Sequence, residues 1–304
     1  MLEPAISVKS ISKQYGDITA INNLSFEINK GELFGFIGPD GAGKTTLFRV
    51  LTTLLLPDSG TATVAGFDVV KEYKKIRNIT GYMPGKFSLY QDLSVEENLS
   101  FFATIFGTTI TENYELIKDI YIQIEPFKKR PAGKLSGGMK QKLALCCAMI
   151  HKPEILVLDE PTTGVDAVSR KEFWEMLKRL KENGITIIVS TPYMDEASLC
   201  DRVSLMQGGN IMSTDTPDNI IKGFDTPLFA IKTAEMYHLM QDLQAWKTTE
   251  STHLFGQYVH LTLHEGNQKD IETYLESKSH HSIEIKQIKP NIEDAFMRLM
   301  SKNN

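Results

Sequence analysis

Long apolar runs are missing from this chain. Its most apolar windows, Leu99 to Phe106 and Ile185 to Val189, fall far below the roughly 20 residues that a bilayer-crossing helix needs. The first residues, Met1-Leu2-Glu3-Pro4-Ala5-Ile6, carry neither a basic region nor an apolar stretch, so no secretory leader is expected. Cysteine is scarce: Cys146, Cys147 and Cys200 cannot make a disulfide framework and read as buried thiols of a reducing compartment. A basic excess is missing too. The 33 Lys and Arg against 38 Asp and Glu give a net charge of −5, which argues against a general nucleic-acid binder. No internal repeat and no low-complexity tract interrupts the sequence.

What is present is ordinary globular material. The 304 residues are 41% apolar and 23% charged, enough for a large core without staples and for about two domains. Strand-like runs alternate with helical patterns over the first 220 or so residues, which predicts an α/β domain. The strands are expected at Ile6 to Val8, Leu24 to Ile28, Leu33 to Ile37, Thr61 to Val64, Ile155 to Leu158, Ile185 to Ser190 and Val203 to Met206. Between about 93 and 153 helical periodicity takes over, so a helical subdomain is expected there. The first domain is read as 1–222, with a hairpin-like end at Gly208-Gly209 and a helix start at Asp215-Thr216-Pro217. Residues 223–304, opening on the linker-like Gly223 to Pro227, read as a small C-terminal α/β (α+β) accessory domain. Its strands are expected at Leu228 to Ile231, Val259 to Leu263 and from Ile283, the second with one wet face. Asn291 and Asp294 form a capping box for its last helix.

Gly38-Pro39-Asp40-Gly41-Ala42-Gly43-Lys44-Thr45-Thr46 follows a strand and precedes a helical pattern. This is G-x-x-x-x-G-K-[ST] in the setting it requires. The glycines let backbone N–H groups turn inward toward phosphate oxygens, and the helix N-terminus adds partial positive charge. Lys44 is expected on the β- and γ-phosphates and Thr45 on Mg²⁺, with Thr46 beside it. Asp40 is out of character next to a triphosphate, so it is expected to point away or to bond its own backbone. A second site is Ile155-Leu156-Val157-Leu158-Asp159-Glu160-Pro161. A buried strand delivers Asp159 to its C-terminal end, where ligands of open α/β sheets bind. Asp159 is expected to orient Mg²⁺, and Glu160 to polarise the attacking water as general base.

Leu135-Ser136-Gly137-Gly138-Met139 opens another helix, with Ser136 standing 23 residues before Asp159. Ser136, Gly137 and Gly138 make a second anion-binding helix start. One chain holding one nucleotide does not need two, but a dimer does if each chain caps the other's γ-phosphate. These motifs, with Thr163-Gly164-Val165-Asp166 after them, resemble the ATP-binding cassette of ABC transporters over about residues 5–222. The resemblance implies a P-loop NTPase fold, ATP and Mg²⁺ as ligands, and a second cassette subunit as homodimer or heterodimer partner. It also implies integral membrane permease subunits and a peripheral place on the cytoplasmic face of the membrane. By the same resemblance Tyr15, which by residue type alone reads as a core tyrosine, matches the adenine-stacking aromatic. Leu89 to Leu99 is similar to the region that meets a transporter's coupling helix. Ile288 to Phe296 looks like the tail of drug-resistance-type exporter ATPases. The histidines His253, His260, His264, His280 and His281 raise the question of a metal. Without cysteine and without metal-site spacing, they are expected on a solvated face.

Two positions depart from the family pattern. Gly85 stands where the family's glutamine reaches Mg²⁺ and water, and Pro192 stands where its histidine touches the γ-phosphate. Proline has neither a side-chain donor nor a backbone N–H. ATP binding and dimerisation are therefore expected with slow or conditional hydrolysis, since one such contact is worth about 10²–10³ in rate. Either another group stands in, with Lys86, Gln91 or Tyr193 considered, or the chain pairs with a different cassette subunit. Ribosome- or DNA-directed cassette proteins fit less well. The chain carries one cassette, and the 89 residues between Thr45 and Leu135 hold no sustained heptads.

Overall fold

The computed structural model describes residues 3–86 and 89–302. The chain divides into two units, with the break between Thr216 and Pro217.

The first unit holds two sheets. β1 (Ile6–Tyr15) and β2 (Ile18–Ile28) form an antiparallel ribbon. β3 (Leu33–Ile37) leads through the phosphate loop into α1 (Lys44–Leu51). β4 (Ser59–Val64) and β5 (Phe67–Asp68) complete the first sheet in the order β2-β1-β4-β5. After α2 (Tyr73–Ile79) and β6 (Thr80–Met83) come three helices, α3 (Val95–Ile105), α4 (Tyr114–Tyr121) and α5 (Gly137–Met149). No strand longer than a single bridge interrupts them among the described residues. β7 (Ile155–Asp159), α6 (Ala167–Glu182), β8 (Thr186–Thr191), β9 (Arg202–Gln207) and β10 (Asn210–Asp215) follow. The second sheet runs β10-β9-β3-β8-β7-β6. It is parallel except at β10.

Hydrophobic pattern explains the arrangement. β3, β7 and β8 are buried at every position, as continuous apolar strands must be when both faces are covered. One cluster joins the sheets: Phe26 meets Phe36 edge-on at 5.1 Å, and Phe36 meets Phe48 of α1 at 5.7 Å. α1 is thereby clamped between the two layers, which fixes where its N-terminus points. Each expected strand of the α/β domain is present. β6 was not foreseen, because Thr80-Gly81-Tyr82-Met83 lacks an apolar run. Gly81 is needed there, since a Cβ would lie 2.3 Å from the Ala148 carbonyl oxygen. The three cysteines are free and buried, and burial pushes their thiols well above the usual range. No helix of the described residues is long and apolar enough to cross a membrane.

The second unit begins with α7 (Pro217–Lys222), which packs on the last helix, α10 (Ile292–Lys302). That packing puts the break six residues earlier than the 222/223 boundary read from the sequence. Between them lie β11 (Leu228–Lys232), α8 (Met236–Ala245), β12 (Thr249–Phe255), β13 (Tyr258–Leu263), α9 (Gln268–Ser277) and β14 (Glu284–Ile288). The antiparallel order is β12-β13-β11-β14. Val259, Leu261 and Leu263 join Leu239, Leu243, Ile271 and Leu275 in one core. β12 escaped the sequence reading because its polar Thr249-Glu250-Ser251-Thr252 carries no apolar alternation.

Two sequence expectations fail in this unit. β13 has no wet face: His260 and Thr262 are buried as well, at 5% and 1% exposure. The histidines do not share a solvated face either. His264 and His281 are exposed, but His253 and His260 are buried against Asp294, and the His280 ring is buried against Asp242. For His253 and His260 the reason is α10, whose first turn brings Asp294 onto the β12–β13 hairpin, and for His280 it is Asp242 of α8. As expected, Asn291 caps that helix. Its Oδ1 accepts from the N–H groups of Glu293 and Asp294, and the Asn291 N–H donates to Asp294 Oδ2 at 2.9 Å.

Candidate functional site

The phosphate loop leaves β3 between β8 and β9, and backbone contacts hold both of its ends. The Gly38 N–H donates to the Thr191 carbonyl at 3.3 Å, and the Gly209 N–H donates to the Ala42 carbonyl at 3.2 Å. Two glycines are compulsory. A Cβ on Gly38 would lie 2.2 Å from the Met206 carbonyl oxygen, and one on Gly43 would lie 2.3 Å from that of Ala20. Gly43 also has φ 99°, a region that side chains resist. It caps α1 without a side-chain bond, which leaves the helix's first N–H groups open to an anion.

Lys44 is 3% exposed. Its Nζ donates to the carbonyls of Gly38 and Pro39 at 2.7 and 3.0 Å and pairs with Glu160 Oε1 at 3.3 Å. The ammonium is therefore curled under the loop, with Glu160 in front of it. Glu160 carries φ 49°, a left-handed conformation costing about 1–3 kcal/mol for a residue with a side chain. Its N–H is anchored by the Ser190 hydroxyl at 2.9 Å and the Ser190 carbonyl at 3.1 Å. Asp159 is 2% exposed. Its Oδ1 accepts from the same Ser190 hydroxyl at 2.6 Å. Burial and the Asp159 charge push the neighbouring Tyr82 phenol up to about 12, so it stays a neutral hydroxyl.

A cavity of about 550 Å³ gathers Tyr15, Asp40, Gly41, Ala42, Gly43, Lys44, Thr45, Thr46 and Glu160. Tyr15 is no core residue: at 45% exposure it offers a free aromatic face at the rim. Asp40 is exposed at the cavity wall, and no bond to its own backbone occurs among the described contacts. Gly38 and Asp159 lie behind the lining. Thr45 and Asp159 supply oxygen donors only, the set that suits Mg²⁺.

Ser136, Gly137 and Gly138 do not line this cavity. Ser136 caps α5 through the Met139 N–H at 3.3 Å. Gly138 packs on α6, where a Cβ would lie 2.7 Å from Ser169 Oγ. Gln141 binds the Pro161 carbonyl, which ties α5 to the segment after Glu160.

The departures from the family pattern have a definite geometry. A Cβ on Gly85 would lie 3.2 Å from the Asp159 carbonyl oxygen, so position 85 does abut the second carboxylate site. After Pro192 the chain turns, with the Tyr193 N–H donating to Thr191 Oγ1 at 3.0 Å. None of Lys86, Gln91 and Tyr193 lines the cavity. The Tyr193 ring is occupied by the Arg170 guanidinium at 4.9 Å, and Gln91 turns back to the Leu89 carbonyl. Sequence reasoning missed Ser190, whose one hydroxyl joins Asp159 to Glu160. Its only signal was a hydroxyl residue directly after the apolar run Ile187 to Val189.

Residues 21–163 match the ABC transporter family. The probable multidrug ABC transporter ATP-binding protein YbhF of Escherichia coli is 41% identical over 72% of this chain. The chain spans only 38% of that relative's length. The Nod factor export ATP-binding protein I of Sinorhizobium fredii is 34% identical over 98% of this chain and 86% of its own. A bacterial ABC transporter cassette solved as a dimer superposes with TM-score 0.63 at 25% identity, covering 69% of this chain and 98% of that one. The phosphate loop, the carboxylates at the end of β7 and these likenesses agree: the chain belongs to the ATP-binding proteins of ABC transporters, in the branch whose relatives are named for export.

Proposed function

We propose that this chain binds MgATP in the Lys44 cavity, hydrolyses it within a cassette dimer, and drives export through separate membrane subunits. One observation carries the reading: Lys44, the N-terminus of α1 and Glu160 face a single cavity rimmed by an exposed Tyr15. Tyr15 would stack on the adenine. The open N–H groups of α1 and Lys44 would take the phosphates. Thr45 and Asp159 would hold Mg²⁺, which supplies charge neutralisation at the phosphates. Glu160 would accept a proton from the attacking water. Ser136, Gly137 and Gly138 of a second cassette would cap the γ-phosphate, since within one chain they stand outside the cavity. The dimeric cassette among the solved relatives supports that arrangement.

A second cavity supports a membrane partner. It measures about 380 Å³ and is lined by Tyr82, Met83, Phe102, Phe106, Cys147 and His151 among others. It lies between β6 and the helices α3 and α5, and α3 starts within the segment Leu89 to Leu99 that resembles the coupling contact. A permease at the cytoplasmic face of a membrane would dock an apolar segment there.

A second reading rests on Gly85 and Pro192. With neither side chain present, a homodimer would bind ATP and turn it over slowly, and full activity would need a different cassette partner.

The test is steady-state MgATP hydrolysis against protein concentration, beside Glu160→Gln. Turnover that rises with concentration and is lost in the variant supports a self-sufficient homodimer. ATP binding without turnover above the variant rejects it and supports the paired reading.

A further inference from the structure

The face of the C-terminal sheet opposite its apolar core holds a cluster that the nucleotide chemistry does not use. His253 and His260 are direct cross-strand partners on β12 and β13, so their side chains leave the hairpin on the same face. α10 brings Asp294 onto them. Asp294 is fully buried, and His253 and His260 are 9% and 5% exposed. Asp294 Oδ1 stands 3.2 Å from His253 Nε2 and 2.6 Å from His260 Nδ1. One oxygen thus receives both rings, while Oδ2 stays on the Asn291 N–H. One ligand atom from each of the three residues falls within a single 4.8 Å sphere of separations.

We propose that His253, His260 and Asp294 bind a divalent transition-metal ion of the zinc class. Such an ion takes imidazole nitrogen and carboxylate oxygen at about 2.0–2.2 Å, which sets neighbouring ligand atoms of a tetrahedral site about 3.3–3.6 Å apart. The His253 nitrogen already stands 3.2 Å from Asp294 Oδ1, near that edge length, and the His260 nitrogen, at 2.6 Å, would draw back by about 0.7 Å as the ion replaces its hydrogen bond. Two nitrogen donors beside one oxygen select zinc, cobalt or nickel over magnesium and calcium.

The supporting contacts suit the same role. The Phe255 ring stacks on His260 at 4.6 Å with 14° between planes, which fixes the imidazole. The Asn291 N–H fixes the carboxylate, as outer partners of metal ligands do. Binding requires each imidazole to carry its proton on the nitrogen away from the ion. For neutral rings this is a tautomer change, with no redox step and no proton lost. The ion would staple the β12–β13 hairpin to the start of α10. It would bind through side chains drawn from strands and helix that are 34 to 41 residues apart in sequence, so sequence spacing could not reveal it.

The experiment uses the full chain, freed of metal by chelation, nucleotide-free, and held in excess Mg²⁺ to occupy all-oxygen sites. Cobalt(II) is titrated in, and the visible absorption of the bound ion is read, followed by displacement with zinc. One equivalent of a nitrogen-ligated cobalt spectrum is expected, with affinity lowered at least about tenfold in His253→Gln and in His260→Gln. His280→Gln, at the separate His280–Asp242 pair of 3.0 Å, should leave the titration unchanged. Circular dichroism of each variant establishes that it is folded. Should His260→Gln lose its fold, His253→Gln decides alone. Absence of the spectrum in the parent chain overturns the proposal, as does a titration that both folded variants leave intact.

Discussion

Lys44 Nζ stands 3.3 Å from Glu160 Oε1, with the lysine side chain 3% and the glutamate 22% exposed. The cation of the phosphate loop and the carboxylate after β7 hold one another in the candidate nucleotide cavity. On the proposed function, a triphosphate entering that cavity would compete with Glu160 for the ammonium, and phosphates on Lys44 would release Glu160 toward water. Lys44→Ala should weaken ATP binding about 10–100-fold, the worth of a charge-assisted contact of about 1.5–3 kcal/mol. Calorimetric titration with ATP measures it, and an unchanged affinity would remove Lys44 from the site.

Ser190 is fully buried, and its hydroxyl joins Asp159 Oδ1 at 2.6 Å to the Glu160 N–H at 2.9 Å. Ser190→Ala strips Asp159 Oδ1 of this donor inside the protein, while the Glu160 N–H keeps the Ser190 carbonyl. A stability loss of about 1–3 kcal/mol is expected from the unsatisfied carboxylate. Because Asp159 loses its orienting contact, the Mg²⁺ concentration for half-maximal turnover should also rise. Denaturant unfolding reads the first effect and a Mg²⁺ titration of hydrolysis the second. A loss of stability with no change in Mg²⁺ dependence would reduce Ser190 to a packing role.

Pro192, directly after β8, carries no side-chain donor. Pro192→His supplies one at the position where the family carries it, and turnover should rise by about tenfold or more. That is below the 10²–10³ lost when an optimised donor is removed, because the new ring lacks supporting contacts. Hydrolysis no faster than the parent chain would mean that a missing histidine does not limit the rate.

His151 stacks on Phe106 with ring centroids 3.7 Å apart, in the wall of the apolar cavity beside β6. Burial pushes its pKa below the ordinary value near 6.5, and only the Thr80 backbone opposes the shift. The unfolded chain therefore binds this proton more readily than the folded one. Stability is full above about pH 6.5 and falls as the pH drops from there toward the lowered folded value. His151→Phe keeps the stacking and removes the titration. Urea unfolding at pH 7.5 and 5.5 should show a smaller acid loss in the variant, and equal losses would contradict the assignment.

The candidate nucleotide site was legible because its parts are contiguous. Gly38 to Thr46 and Ile155 to Glu160 each carry their own strand and turn, so residue order alone states the local geometry. The same is true of Gly85 and Pro192, which are visible as departures once the motifs around them are aligned. β6 and β12 were not legible, since a strand recruited by its neighbours needs no apolar alternation of its own.

What the sequence determined by itself was the class of fold, the anion cradle and the acidic strand end, because these depend on residues within one turn of chain. Only the tertiary structure decided which distant groups meet. It drew Glu160 onto Lys44, put Ser190 between the Asp159 carboxylate and the Glu160 N–H, and kept Ser136 to Gly138 out of their own chain's cavity. It also turned His253 and His260 from expected surface residues into buried partners of Asp294. Strand register and helix packing fix those contacts, and both are settled by the burial of apolar faces far away in sequence.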